Sequence, residues 1–341
     1  MFRVYATMSE RLPLSNVAAH ARRAEALGYD GLTVPEAVHD GFLTAGIALN
    51  ATTRLTVATG VVVAFPRSPM ATAHAAHDLR ELSGGRFELG LGTQVKGNIV
   101  GRYSTPWAPP APRMREYVGA LRAIFDAWQN GVPLKFEGEH YRFTRMQPFF
   151  NPGPLECAGI PIFLGGIGRT MLALAGEVAD GLMTHPTNTG PRYLREVVRP
   201  EIAKGAARTG RDASAVKVMA GPLIATGPST AAARKERENI RQMFGFLYST
   251  PNYWPSLELF GWRDLGERLH QMSREGRWKE MTALITDEIL DAFVPTAPYA
   301  EIADVLKEWY GGVTDWIVLP APADPSHDPE VTKVVARLRG A

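Results

Sequence analysis

Two side chains with acid–base chemistry stand in one short loop. Glu36 and His39 fall within Pro35-Glu-Ala-Val-His-Asp-Gly41, directly after the apolar run Gly31 to Val34. An imidazole exchanges a proton near neutral pH, so His39 is a candidate general acid or base. A polar loop residue capping the next helix is an equal reading of it. Glu36, nearer the strand end, is the competing candidate. A second group is glycine-rich: Gly165, Gly166 and Gly168 precede Arg169 where a helix would open. Free N–H groups at a helix start, room for close approach and a cation suit a phosphate. A plain tight turn explains the same glycines. A third group marks two strand ends. Gly60-Val61 breaks the β-branched run Leu55 to Val63, and Thr93, Gln94 and Asn98 follow Gly85-Arg-Phe-Glu-Leu-Gly-Leu-Gly92. The irregular strand points to something large and flat against the backbone.

Other chemistries lack their signals. The chain contains no G-x-G-x-x-G and no G-x-x-x-x-G-K-[ST], which removes the signatures of a nicotinamide Rossmann domain and a P-loop. H-E-x-x-H and G-x-S-x-G are absent too. His74 and His77 lie one helical turn apart near Asp78 and Glu81. Helix packing explains them better than a metal, and no metal is assigned.

Alternating strands and helices must position these residues. Strands read at Phe2 to Ala6, Gly31 to Val34, Leu55 to Val63, Phe87 to Leu91, Ile160 to Leu164, Gly181 to Thr184, Val216 to Ala225 and Thr314 to Leu319. The first helix carries the stripe Val17, Ala21, Ala24 and Leu27, with Ser15 as its cap and Gly28 as its stop. Further helices read at Thr44 to Ala51, Met70 to Leu82, Met114 to Trp128, Arg169 to Val178, Tyr193 to Arg208, Tyr299 to Trp309 and Pro329 to Leu338. A polar insertion near 93–112 holds Trp107-Ala-Pro-Pro-Ala-Pro, which reads as neither regular helix nor central strand. Leu134 to Phe143 reads as a hairpin turning at Gly138, within a second insertion near 130–158. A helical insertion near 226–295 carries Tyr248, Tyr253, Trp254, Phe260 and Trp262. Eight strand–helix units predict a (β/α)8 TIM barrel over 1–341, with a doubly wound sheet as the second choice.

The chain has 341 residues, 45% of them hydrophobic, and a formal net charge of +2. That supports a barrel-sized core and gives no basic surface for nucleic acid. One cysteine, Cys157, precludes an intrachain disulfide and suits the cytosol. The start Met-Phe-Arg-Val-Tyr lacks the apolar segment of a signal peptide, and no window reaches membrane-spanning length, so a cytoplasmic protein is expected.

Several blocks together resemble the luciferase-like monooxygenase superfamily. They are Ala21-Arg-Arg-Ala-Glu-Ala-Leu-Gly28-Tyr-Asp-Gly31-Leu-Thr-Val-Pro-Glu36, Thr59 to Pro69, Leu82 to Thr93, and Pro161-Ile-Phe-Leu-Gly-Gly166 with Ala179-Asp-Gly181. The likeness extends to the branch that uses the 8-hydroxy-5-deazaflavin coenzyme F420. It implies a barrel holding F420, or alternatively FMN, at its C-terminal rim. It implies a non-prolyl cis peptide at Gly60-Val61 against the cofactor ring, and an apolar floor from Val61 and Val63. His39 maps to the loop residue near the reacting edge, and Asn98 to an asparagine near the ring. Gly165 and Gly166 map to backbone that binds the phosphate tail. Where the family's sugar-phosphate dehydrogenases carry a glutamate, this chain has Val95, which disfavours glucose 6-phosphate. The implied activity is hydride transfer between F420 and a small organic substrate. An FMN-dependent monooxygenase and a non-catalytic flavin-binding barrel are the rivals. The family's fold often dimerises through helices near strands two to four. Ala48-Leu49 and the run Met70 to Ala76 fit a homodimer, and core packing fits them equally.

Overall fold

A computed structural model of the chain describes residues 1–340. Eight parallel strands form the barrel: β1 (Arg3–Thr7), β2 (Gly31–Val34), β3 in two segments (Thr56–Thr59 and Val62–Val63), β4 (Phe87–Gly92), β5 (Ile162–Gly166), β6 (Gly181–Thr184), β7 (Lys217–Ala220) and β8 (Trp316–Val318). Pairing runs in sequence order from β1 to β8, and β8 pairs with β1, so the sheet closes. This is the (β/α)8 barrel that the strand–helix alternation predicts.

The interior is filled from below by rings. Tyr5 stacks on Trp316 at 5.3 Å, and Phe163 lies 4.8 Å from Trp316. Met183, Met219 and Ala58 complete this cluster. Small residues on neighbouring strands make the room. A Cβ added to Gly31 would fall 2.3 Å from the Tyr5 ring, and one on Gly181 would fall 2.2 Å from Phe163. Beneath the rings, Tyr5 Oη donates to the buried Glu88 at 3.0 Å, and Arg3 pairs with the same carboxylate at 3.3 Å.

The outer layer follows the apolar stripes. Helix α1 (Leu14–Ala26) buries Val17, Ala21 and Ala24, and Gly28 follows with φ +84°. Ser15 is not its cap. The helix begins at Leu14 after the extended Pro13, so Ser15 falls in the first turn. Helix α2 (Gly41–Asn50) starts earlier than predicted because Asp40 caps it, accepting from the Phe42 and Leu43 N–H groups. Helix α3 (Pro69–Leu82) and the short α4 (Lys96–Gly101) follow. Helix α5 (Pro110–Asn130) starts inside the proline-rich segment that reads as non-helical. Its prolines sit in the first turn, where N–H groups have no intrahelical acceptor, so they interrupt nothing. Ala48, Leu49, Ala73 and Ala76 are buried within the chain, whereas Ala71 is exposed and Met70, His74 and Ala75 are half-buried.

After β7 the chain departs from strand geometry at Ala220, well before the predicted end at Ala225. The following helical insertion packs its own cluster around Phe244, Tyr248, Leu257 and Phe293. Tyr248 Oη and Ser256 Oγ both donate to the Thr187 carbonyl, at 3.1 and 2.6 Å. These bonds moor the insertion to the loop after β6. Among the described residues, no helix is long and apolar enough to cross a membrane.

Candidate active site

The C-terminal rim gathers most of the chemistry-bearing residues. Side chains alternate along each strand, so the layer above the rings falls to Thr7, Thr33, Gly60, Gly92, Gly165, His185, Gly221 and Val318, half of them glycine. Glycine there removes the side chains that would close the barrel's mouth. The break in β3 lies at this level, and the Gly60–Val61 peptide is cis. Thr59 takes over the local ladder: its Oγ1 donates to the Gly90 carbonyl at 2.9 Å and accepts the Gly90 N–H at 2.8 Å.

Val61 lies across two glycines. A Cβ on Gly92 would fall 2.4 Å from Val61 Cγ2, and one on Gly165 would fall 3.3 Å from Val61 Cγ1. The Val61 side chain thus fills the notch between β4 and β5 and packs on the interior cluster. Val63 does not join it. The break interrupts the alternation that would put both valines on one face. Val63 is buried in the outer core, and its N–H and carbonyl bind Glu36 and Arg67.

Glu36 is an anchor. Its Oε2 accepts from Val63 N–H at 2.6 Å and from Arg67 Nη1 at 2.9 Å, while its Oε1 pairs with Arg67 Nη2. Its side chain is 5% exposed. Both oxygens are held by protein donors. Arg67 also binds Asp40 at 2.6 Å, and Arg102 on the far side donates to the Ala37 carbonyl at 2.6 Å. His39 sits between these tethered residues, half-buried, with no hydrogen bond from its ring to any described residue.

Thr93 is half-buried directly after β4, and Asn98 on α4 donates through Nδ2 to Gln94 Oε1 at 3.1 Å. Gln94 holds φ 57°, and its Oε1 also accepts the Val95 N–H at 2.9 Å. Gly165 and Gly166 end β5. Gly168 caps α6 (Arg169–Val178) with its backbone alone, and no atom lies within 4 Å of its would-be Cβ. The first-turn N–H groups of α6 are therefore approachable. Arg169 turns aside: its Nη1 binds Glu201 at 2.8 Å, and Lys204 shares that carboxylate. The remaining guanidinium N–H groups stay free to donate.

His185, which the sequence reading does not single out, completes the rim. It directly follows β6, and its ring stacks on Tyr253 of the insertion at 4.4 Å and 12°. The strand-end rule that selects His39 selects this residue equally. Burial pushes its imidazole down to about 4 from the usual 6.5. The folded chain then keeps the ring neutral where the unfolded chain takes up a proton. The site's contribution to stability is full above pH 6.5 and is lost as pH falls from 6.5 towards 4. His185→Phe keeps an aromatic ring against Tyr253. It is expected to flatten the fall in thermal midpoint across that window, and an unchanged slope would take His185 out of the balance.

Two other clusters serve packing and turns. His74 and His77 both pack against Trp128, at 4.7 and 5.3 Å. Glu116, Glu139 and His140 come close together, yet the Glu116 carboxylate accepts the backbone N–H groups of Glu139, His140 and Tyr141, which closes the hairpin.

A parallel eight-strand barrel with an open, glycine-lined C-terminal mouth is the scaffold of many enzymes. The luciferase-like monooxygenase family model matches residues 1–315. The chain belongs to the luciferase-like monooxygenase family, whose members are oxidoreductases and monooxygenases, and it is an enzyme of that kind. It is 43% identical over 305 residues to an uncharacterized protein of Mycobacterium tuberculosis, covering 89% of each chain. It is 28% identical over 271 residues to 5,10-methylenetetrahydromethanopterin reductase of Archaeoglobus fulgidus, covering 78% of this chain and 76% of that one. Its fold is similar to that of the coenzyme F420-dependent tetrahydromethanopterin reductase from Methanopyrus kandleri. The TM-score is 0.80 at 18% identity, over 99% of both chains.

Proposed function

We propose that this protein transfers hydride between coenzyme F420 and a small organic substrate at the C-terminal mouth of one barrel domain, residues 1–341. The observation that carries this reading is the glycine layer with Val61 laid across Gly92 and Gly165. It offers a flat apolar face above the barrel's rings, and that shape suits a planar tricyclic ring system. A bound deazaflavin supplies the hydride chemistry; the protein's part is orientation and electrostatics.

This chain's residues divide the remaining work. Val61 backs the ring. Thr93 and Asn98 offer polar atoms at its edge, and Gly60, Gly165 and Gly166 let the backbone approach closely. Gly168 and the first turn of α6 take the phosphate of the tail, with Arg169 beside them. His39 holds or passes a proton at an imidazole nitrogen, since its ring is unpartnered and its neighbours are tethered. Glu36 fixes that loop from below. The insertion that carries Tyr253 covers the mouth, and excluding water strengthens the electrostatics of the site.

The test is a titration of the purified protein with coenzyme F420 and, separately, with FMN. Binding of F420, followed by a change in its absorbance in the presence of substrate, is expected. FMN binding without F420 binding would overturn the reading in favour of a flavin monooxygenase. Arg169→Ala is expected to weaken F420 binding by roughly 1–3 kcal/mol, the range of a charge-assisted hydrogen bond. Unchanged affinity at low salt would take Arg169 out of the site while leaving the glycine cradle in place.

A further inference from the structure

The mouth carries a second imidazole, on the wall opposite His39. His39 follows β2 and His185 follows β6, and these strands lie halfway round the barrel from each other. Met183 faces the interior cluster, so His185, two residues further on, falls in the layer above it. Tyr253 of the insertion covers one face of the His185 ring at 4.4 Å. Nε2 has no protein partner, yet it is not among the buried atoms that lack one, so it keeps surface open to the mouth.

The groups around Nδ1 decide which ring nitrogen carries the proton. His185 caps the short turn Pro186–Asn188, and its Nδ1 accepts the Thr187 backbone N–H at 3.4 Å. A backbone N–H only donates, so Nδ1 presents a lone pair to it. Thr187 Oγ1 lies 2.8 Å from the same nitrogen and gives it a second proton donor. The amide atom of Asn188 placed 2.7 Å from that hydroxyl is Oδ1, which leaves Nδ2 buried with no partner. The two ends of an amide are told apart by their hydrogen bonds. A half-turn brings Nδ2 to the hydroxyl as its donor, and the orphan becomes a carbonyl oxygen, which is tolerated better than an orphaned N–H. Every link then runs towards Nδ1, and the imidazole proton sits on Nε2. Among the described residues no carboxylate pairs with the ring, and burial keeps it uncharged. The result is a fixed, neutral N–H donor in the wall of the mouth.

We propose that His185 donates, through Nε2–H, a hydrogen bond to a carbonyl oxygen of the molecule bound in the mouth, either the substrate's or the cofactor ring's. This rests on the mouth being the binding site, as the proposed function holds. Both sources share one chemistry, an uncharged acceptor oxygen. A group that only donates would meet the N–H unfavourably, so the same ring selects against it. The stacked Tyr253 and the bonds to Nδ1 hold the ring in place, so binding costs little side-chain ordering there.

Histidine-15N-labelled protein answers the question through long-range 1H–15N correlation spectra. The His185 signals are assigned by their loss in His185→Phe, or in His185→Gln if that variant fails to fold. At neutral pH, Nε2 is expected to bear the proton and Nδ1 to give the shift of an unprotonated nitrogen. Saturating coenzyme F420, or concentrated acetone as a carbonyl probe, is expected to move the Nε2–H proton downfield and slow its exchange with water, with Nδ1 nearly unchanged. A response to F420 alone assigns the acceptor to the cofactor, and a response to acetone assigns it to a substrate carbonyl. A proton on Nδ1, or an Nε2–H unmoved by both probes, overturns the proposal. Failure of F420 to bind is read separately by its fluorescence. It would sink the proposed hydride transfer, whereas the tautomer and the acetone response would still decide the role of His185.

Discussion

His39→Ala is expected to lower kcat by about 100- to 10,000-fold, the usual range for loss of a general acid or base. The affinity for F420 should change far less. The geometry behind this expectation is the tethering on both sides of the residue. Arg102 holds the Ala37 carbonyl, Arg67 holds Glu36 and Asp40, and Asp40 caps α2. Between these fixed points stands one ring with no bond to the protein. The tethered backbone places such a group and leaves its ring nitrogens free, which suits proton transfer to a ligand. Glu36→Gln gives the contrast. The amide keeps an acceptor for the Val63 N–H but loses the charge that binds Arg67, so its main effect should be on stability. Turnover assays of both variants on one substrate, with F420 binding measured in parallel, check the assignment. Near-normal turnover of the His39 variant would leave the residue a structural one.

Arg67→Met is expected to destabilise the fold by roughly 3–5 kcal/mol, because it leaves the Glu36 carboxylate buried without its partner. Arg67 is itself only 22% exposed and serves three acceptors: Glu36, Asp40 and the Val63 carbonyl. The double variant Arg67→Met/Glu36→Gln should recover much of that loss, since no uncompensated charge remains. Urea midpoints of the wild type, both single variants and the double variant form the cycle that measures the coupling. Strictly additive losses would show that the pair contributes little beyond its separate parts. The pair joins the loop after β2 to the second segment of β3. Arg67→Met should therefore also reduce turnover in the protein that remains folded, through displacement of His39.

Much of the scaffold is written in local sequence. β2, β6 and α6 have the bounds that their apolar runs and glycine stops predict, at Gly31–Val34, Gly181–Thr184 and Arg169–Val178. Those signals are short-range: a β-branched run, a glycine that ends it, a helix that opens after one. The same signals place Gly60, Thr93, Gly165 and Gly168 at the rim, because strand ends are legible wherever strands are. The tertiary structure decided what each rim residue faces. Glu36 reads as an acid or base beside His39, yet its partners Val63 and Arg67 come from a different strand–helix unit and meet it only when β2 and β3 pair. Val63 reads as part of the same floor as Val61, but the break in β3 sends it to the outer core. His185 reads as an ordinary strand-end residue until the helical insertion brings Tyr253 onto its ring. Local propensity sets where backbone turns, whereas ion pairing, stacking and burial depend on groups far apart in the chain, and closing the barrel is what brings them together.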